Sequence, residues 1–334
     1  MPTVRPRCSA SAAAPERCQL DTQARIFVAG GGALVGDALL RRLRDAGFIN
    51  LLGVGDTEPD LRDAEAVDEF FASERPEYVF LLGGRSGGIA RNLREPAELM
   101  LDNLRIETAL IPAAHRYGVR KLLYLAAACI YPRDCEQPMR PAQLGSGPVE
   151  PSSEAYAMAK WAGLVLCRAY ARQYGARFIT AIPANPFGPG DDTRSEDAHV
   201  VGALIRRMHE AKQRGDAEVI VWGTGRARRD FLFAPDLADA LVFLMQRYDG
   251  EQPINVSGAS DVAIGELAAC IQKVVGFSGR LRFDASRPDG APRKTLDGEA
   301  LHALGWSPRH ALEEALTATV RWFVESESGA ATHG

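Results

Sequence analysis

The chain has no CxxC pair, no long apolar run and no excess of basic charge, and each absence removes a class of function. Its six cysteines, Cys8, Cys18, Cys129, Cys135, Cys167 and Cys270, match no metal-ligand spacing, so free thiols in a reducing cytoplasm are expected rather than a structural zinc. The longest apolar stretch, Leu122 to Tyr131, is about half of the roughly 20 residues that a helix needs to cross a bilayer. No membrane segment is expected. A formal net charge of -4 offers no basic stripe for a phosphate backbone, which argues against nucleic acid and leaves small anionic ligands open. The N-terminal MPTVRPRCSASAAAPERCQLDTQA has no apolar stretch longer than Ala12 to Ala14, too short for a signal-peptide core. Residues 1–24 therefore read as a disordered leader.

What is present is an ordinary globular composition, 46% hydrophobic and 25% charged, on 334 residues, enough for one large domain or two sharing an interface. From Arg25, short apolar runs (RIFVAG, NLLGV, YVFLL, KLLYLA) alternate with longer helical patterns, the signature of a parallel sheet covered by helices. Val67, Phe70 and Phe71, like Leu39, Leu40 and Leu43, form stripes that pack on such a sheet. After ARFITAIP the composition shifts toward Gly/Pro-rich loops. Residues 25–182 are expected to form the dinucleotide-binding domain, with 235–257 returning to it. A substrate-binding lobe is expected over 183–234 and 258–325, and a flexible tail over 326–334.

Gly30, Ala33 and Gly36 in VAGGGALVG follow the first strand and open the first helix as G-x-x-A-x-x-G. Small residues there let a pyrophosphate approach free N–H groups and the positive end of a helix dipole, so Gly30, Gly32, Ala33, Leu34, Val35 and Gly36 are assigned to a dinucleotide. A tight turn without a ligand is the plainer alternative. Asp56, about 20 residues further on, suits adenosine ribose hydroxyls and favours NAD(H); alternatively it belongs only to the turn GDTEPD. Tyr156 and Lys160 are four apart on one helix face, where a cationic Lys lowers the pKa of a phenol and makes it a proton donor. An ordinary surface pair is the alternative. The expected fold is α/β, a Rossmann-type doubly wound parallel sheet with a smaller mixed α/β substrate lobe.

The stretches CIYP, QPM, YAMAK, NPFGP, HVVGALIRRMHEA, VIVWGTG, RRDFL and PDGAPRKTLD together resemble the extended short-chain dehydrogenase/reductases, and within them the GDP-L-fucose synthase family. The resemblance runs from Arg25 to Glu325 and implies a homodimeric enzyme that epimerises C3 and C5 of GDP-4-keto-6-deoxy-D-mannose and then reduces C4 with NADP(H). It assigns Cys129 and His199 as the acid/base pair, and the chemistry agrees. A C4 ketone acidifies both neighbouring carbons, and inversion through the enolate requires proton carriers on opposite faces. The resemblance also implies that Arg207, Trp222, Arg229 and Asp289 contact the GDP-sugar substrate. Leu125, Pro183, Asn185 and Pro186 would line the nicotinamide end of the cofactor cleft beside Lys160.

Two departures stand out. The family's catalytic Ser falls on Ala127, and its neighbouring Ser on Ala128, which removes a hydroxyl donor to the developing oxyanion. The family's phosphate-reading arginines fall on Gly32 and Val54, while Asp56 would repel a 2′-phosphate. Three readings follow: a working epimerase/reductase, a GDP-keto-sugar epimerase or reductase with weak or no net C4 reduction, and a catalytically silent nucleotide-sugar-binding protein.

Overall fold

Apolar runs that the sequence separates by helical stretches pair in parallel in the computed structural model, which describes residues 20–193, 198–287 and 289–331. The first half alternates β1 (Ile26–Ala29), α1 (Leu34–Asp45), β2 (Leu51–Leu52), α2 (Ala64–Glu74), β3 (Tyr78–Leu81), α3 (Ile89–Arg94), α4 (Pro96–Arg116), β4 (Lys121–Leu125), α5 (Glu154–Tyr174) and β5 (Phe178–Pro183). There follow β6 (Asn185–Phe187), α6 (Val200–Arg214), β7 (Glu218–Trp222), β8 (Arg228–Arg229), β9 (Phe231–Phe233), α7 (Ala234–Arg247) and β10 (Ile254–Val256). The chain ends with β11 (Val262–Ala263), α8 (Ile264–Val275), β12 (Arg280–Asp284), β13 (Arg293–Lys294), α9 (Glu299–Ala303) and α10 (Leu312–Ala331).

Six strands make one sheet in the order β10-β5-β4-β3-β1-β2, and every pair within it is parallel. Every residue of β1, β3, β4 and β5 is buried. Because alternate side chains point to opposite faces, both faces must be covered. Helices α2, α4 and α5 pack side by side, and α1 packs on α7. This is the Rossmann-type architecture.

A second apolar core joins α6, α8 and α10 around Leu204, Ile205, Met208, Leu267, Ile271, Leu316 and Phe323, with β7 and β12 paired at its side. The boundary of this lobe differs from the expected one. Leu296, Leu301 and Trp306 pack into the core of the large sheet, although they fall within 258–325. The cause is a backbone link in which Met139 pairs with Leu296, while Asn255 Nδ2 donates to Met139 O at 2.8 Å and to Asp297 O at 3.0 Å. Residues 1–19 of the expected leader lie outside the described residues, as does Pro288, but Leu20 and Ala24 belong to the large core. The final helix runs to Ala331, into the stretch read as a flexible tail.

Residues 235–257 carry α7 and β10, and β10 pairs with β5 through Ile254 and Ala181. A buried cation fastens the end of α7 there. Lys121, at the start of β4, is fully buried, and its Nζ donates to Leu244 O at 3.2 Å, Met245 O at 2.7 Å and Tyr248 O at 2.6 Å. Asp249 adds a carboxylate at 3.1 Å. Leu244 O also accepts the Tyr248 N–H, while Met245 O is a carbonyl that the helix end leaves to the ammonium. Lys121→Met keeps the stem but removes every donor, and it should lower unfolding stability by about 2–4 kcal/mol in a denaturant titration. A midpoint equal to wild type would show that water replaces the ammonium at no cost.

Candidate active site

The C-terminal ends of the parallel strands share one edge of the sheet, the side on which open α/β sheets bind ligands. After β1 the chain turns at Gly30, whose φ of +91° and close approach to Gly83 (2.6 Å from any added Cβ) require glycine. A Cβ on Gly36 would lie 2.0 Å from Gly30 O, so α1 starts pressed against the turn. In front of Gly32 nothing stands within 4 Å, and Ala33 places no side-chain cap on the first N–H groups of α1. An open space facing free N–H groups fits a dinucleotide pyrophosphate. Residues Gly30, Gly32, Ala33, Leu34, Val35 and Gly36 all belong to this turn and the helix it opens.

Two acids stand after β2. Asp56 is exposed in a 3-10 turn, Gly55–Thr57. Glu58, two residues on, accepts the Gly30 N–H at 2.5 Å, and partial burial raises its pKa against the pull of those backbone donors. Arg62 and Arg85, the nearby cations that could read a phosphate, are held by carboxylates. Arg62 is bound to Asp60 at 2.8 Å, and Arg85 to Asp102 at 3.0 Å and Glu95 at 3.1 Å.

Helix α5 carries Tyr156 at the cleft and Lys160 one turn deeper, almost fully buried. Lys160 Nζ lies 3.7 Å from Glu107 Oε1 and 4.6 Å from the centre of the Tyr124 ring. Burial lowers the Lys160 pKa and Glu107 opposes that shift. The expected depression of the Tyr156 phenol is absent. Enclosure raises it well above its ordinary value, and the negative charges available to Cys129 and Glu107 add to the rise. Ala127 is extended (φ -146°, ψ 148°) and leads into a 3-10 turn, Ala128–Ile130, that presents Cys129 at the end of β4. No hydrogen bond from a described residue reaches the Tyr156 hydroxyl.

Burial pushes the Cys129 thiol up to about 11, with Lys294 the main opposing charge and Lys160 the second. Lys294 comes from the far end of the chain. Gln137 Oε1 accepts Thr295 N–H at 3.0 Å, Met139 N–H donates to Thr295 O at 2.8 Å, and Asp297 N–H donates to Met139 O at 2.9 Å. This clamp sets Lys294 beside Cys129, while β13 pairs with β8 so that Lys294 opposes Arg229. His199 precedes α6 in the lobe and is exposed; the protein atoms around it lower its pKa, and Asp192 opposes the shift. Cys129 and His199 thus stand on different layers with no contact between them.

The remaining assigned residues divide. Arg207 donates to Ala203 O at 3.2 Å and Ile220 O at 3.0 Å, and its guanidinium lies 5.9 Å from the exposed Trp222 ring, which Arg287 approaches to 5.1 Å. Arg229 donates to Ala291 O at 2.7 Å and Asp289 O at 3.3 Å. The Asp289 carboxylate, by contrast, is occupied in shaping a loop, accepting Thr224 N–H at 2.7 Å and Thr224 Oγ1–H at 2.6 Å. Leu125 and Pro183 end β4 and β5, Asn185 Nδ2 donates to Asp230 O at 2.7 Å, and Pro186 lies opposite Leu232. Glu58, Glu107 and Lys294 were not singled out from the sequence. Glu107 had a legible signal, an acid set among Asn103, Ile106 and Leu110 on the buried face of α4.

A parallel α/β sheet with this glycine turn, and a Tyr-Lys pair at its crevice, defines a nicotinamide-dinucleotide enzyme of the short-chain dehydrogenase/reductase class. The chain belongs to the NAD dependent epimerase/dehydratase family, which residues 26–257 match. It is 47% identical to Probable GDP-L-fucose synthase 1 of Oryza sativa subsp. japonica over 307 residues, 92% of this chain and 94% of that one. Its fold superposes on the crystal structure of a GDP-L-fucose synthetase from Naegleria fowleri bound to NADP with a TM-score of 0.87, at 29% identity, covering 95% of this chain and 99% of that one. A GDP-6-OMe-4-keto-L-xylo-heptose reductase from C. jejuni also gives a TM-score of 0.87, at 30% identity, covering 92% of this chain and 99% of that one.

The charges around Cys129 predict its reactivity. Peptide-resolved alkylation with iodoacetamide should show Cys129 reacting more slowly than an exposed thiol at neutral pH and faster as pH rises toward 11. Lys294→Met should slow it by about tenfold at any one pH, since a lost neighbouring cation raises a thiol by about a unit. An unchanged rate would place the ammonium too far away to matter.

Proposed function

We propose that the protein is a NAD(P)-dependent epimerase/reductase acting on a GDP-4-keto-6-deoxy-hexose, similar in action to GDP-L-fucose synthase. The observation that supports this reading is the proximity of Cys129, Tyr156, Lys160 and Lys294, which act on one another electrostatically; His199, at the start of α6, is the second proton carrier that the family resemblance assigns. Arg207 and Trp222 offer the lobe's diphosphate partner and apolar wall. Around neutral pH the Cys129 thiol holds its proton and the His199 ring is uncharged, so the cleft contains one loaded proton carrier and one that accepts. Acting from opposite sides of the sugar, they exchange the hydrogens next to the C4 ketone. Lys160 holds a positive charge beside Tyr156, and the Tyr156 O–H donates to O4 as that oxygen becomes an alkoxide. The nicotinamide supplies the hydride when bound.

Loss of the hydroxyl at Ala127 weakens the second chemistry alone. In D2O without reduced cofactor, GDP-4-keto-6-deoxy-D-mannose should gain deuterium at C3 or C5, and Cys129→Ser should suppress the gain. Ala127→Ser should raise cofactor oxidation by up to about 10²–10³ with deuterium uptake nearly unchanged. A wild-type protein that exchanges no deuterium would refute the epimerase reading. Intact proton carriers give a silent binding protein no support.

Cofactor choice is part of the proposal. Glu58 at the turn, glycine at position 32 and paired arginines at 62 and 85 favour NADH at least equally with NADPH. Fluorescence titration of both cofactors tests this: Glu58→Ala should tighten NADPH selectively, and a wild-type preference for NADPH that survives the substitution would contradict it.

The homodimer and a cytoplasmic setting complete the reading. Met100 and Leu101 on α4 and Met158 and Val165 on α5 are exposed, an apolar face suited to a four-helix contact that sedimentation equilibrium would detect. Cys129, Cys135, Cys167 and Cys270 are free thiols, and among the described residues no helix is long and apolar enough to cross a membrane.

A further inference from the structure

One buried acid has no part in the chemistry above. Glu107, on α4, is 2% exposed, and its Oε1 accepts the Tyr124 hydroxyl at 2.5 Å while standing 3.7 Å from Lys160 Nζ. The other side of the carboxylate lies against Gly163 of α5. A Cβ there would fall 2.7 Å from the Glu107 carboxyl carbon and 2.6 Å from the Tyr124 oxygen, so the pocket admits no larger residue. Tyr124 also donates to Lys160 O at 3.2 Å, and its ring lies beneath Nζ. The groups facing this pair are Tyr124 from β4, Cys129 from the turn after β4, and Tyr156 and Cys167 from α5 itself.

An ammonium taken out of water loses its proton readily unless an anion stands close. Among the described groups that face Lys160, Glu107 is the carboxylate: burial raises its pKa, and the charge of Lys160 3.7 Å away and the Tyr124 hydrogen bond pull it back toward the anion. The others are thiols and phenols, which hold their protons at neutral pH when buried. Tyr124 supplies the hydrogen bond that a buried carboxylate needs. We propose that Glu107 is a positioning residue for the Tyr156–Lys160 pair, holding Lys160 as an ammonium fixed beneath the cleft through an ion pair that Tyr124 and Gly163 enclose. Glu107 touches neither sugar nor cofactor. Its effect passes through Lys160 alone.

The inference rests on the proposed roles of Tyr156 and Lys160, so its test includes a measurement that needs no sugar. Glu107→Gln keeps the shape and removes the charge. Without the anion Lys160 deprotonates at lower pH, and the alkaline limb of ketone reduction should move down by about one unit or more. That shift corresponds to about a tenfold fall in kcat near pH 8, with KM for the sugar nearly constant. Reduced-cofactor affinity, followed by fluorescence with no sugar present, should lose its alkaline range in parallel. Tyr124→Phe should move both limbs the same way by less, and Glu107→Asp, which restores the charge, should stay near wild type. A folded Glu107→Gln protein with wild-type limbs overturns the proposal; if that variant does not fold, unmoved limbs in Tyr124→Phe overturn it. Shifted cofactor binding in a protein that reduces no ketone would refute the enzymatic reading and leave the Glu107–Lys160 coupling standing.

Discussion

Two short stretches more than 150 positions apart in the chain, around Met139 and around Leu296, bind each other through backbone hydrogen bonds, with Gln137 holding Thr295 from the side. Much of the molecule's chemistry depends on that clamp. It draws the end of the lobe onto the large core through Leu296, Leu301 and Trp306. It also fixes β13 against β8, which sets Lys294 opposite Arg229 and beside Cys129. Asn255, within the edge strand β10, donates to both partners of the clamp, so strand, loop and lobe share one network. A crevice made of two layers needs such a tie, because relative motion of the layers would separate proton carriers that work from opposite sides.

The electrostatics of the crevice follow from burial. Lys160 and Lys294 are cations drawn out of water, and burial weakens both as ammonium groups. Each is the more effective for that on its neighbours, since charge acts over a longer range where solvent is excluded. Cys129 lies between them and remains a thiol held well above its ordinary pKa. Tyr156 is higher still in the cleft as it stands. Both hold their protons in the resting protein, and enclosure disfavours the charged form of His199. In the proposed scheme the two reactions differ locally: proton exchange uses Cys129 and His199, whereas reduction lacks a hydroxyl at Ala127.

The parts legible in the sequence were those fixed by short-range geometry. The turn at Gly30, Ala33 and Gly36 can be read because close approach of a helix to a strand end needs small residues at fixed offsets. Tyr156 and Lys160 can be read because four residues return a helix to one face. Strand alternation gave the sheet for the same reason. Glu58 escaped because the 3-10 turn Gly55–Thr57 brings an acid two residues past Asp56 back to Gly30, which no spacing rule predicts. Lys294 escaped because only the long-range clamp brings it to Cys129. The lobe boundary was misplaced for that reason too, since residues 296–306 resemble their sequence neighbours in composition yet pack with a different core.

In the proposed scheme, with Ala127 in place of a hydroxyl donor, proton exchange is the more complete of the two chemistries. A time course in D2O with GDP-4-keto-6-deoxy-D-mannose and a full complement of reduced cofactor, following the sugar by NMR through a single turnover, tests this. Deuterated ketone should build up before any C4-reduced sugar appears. Reduced sugar forming from the outset with no deuterated ketone ahead of it would mean that reduction is not the weakened step and that another donor completes the oxyanion site beside Tyr156.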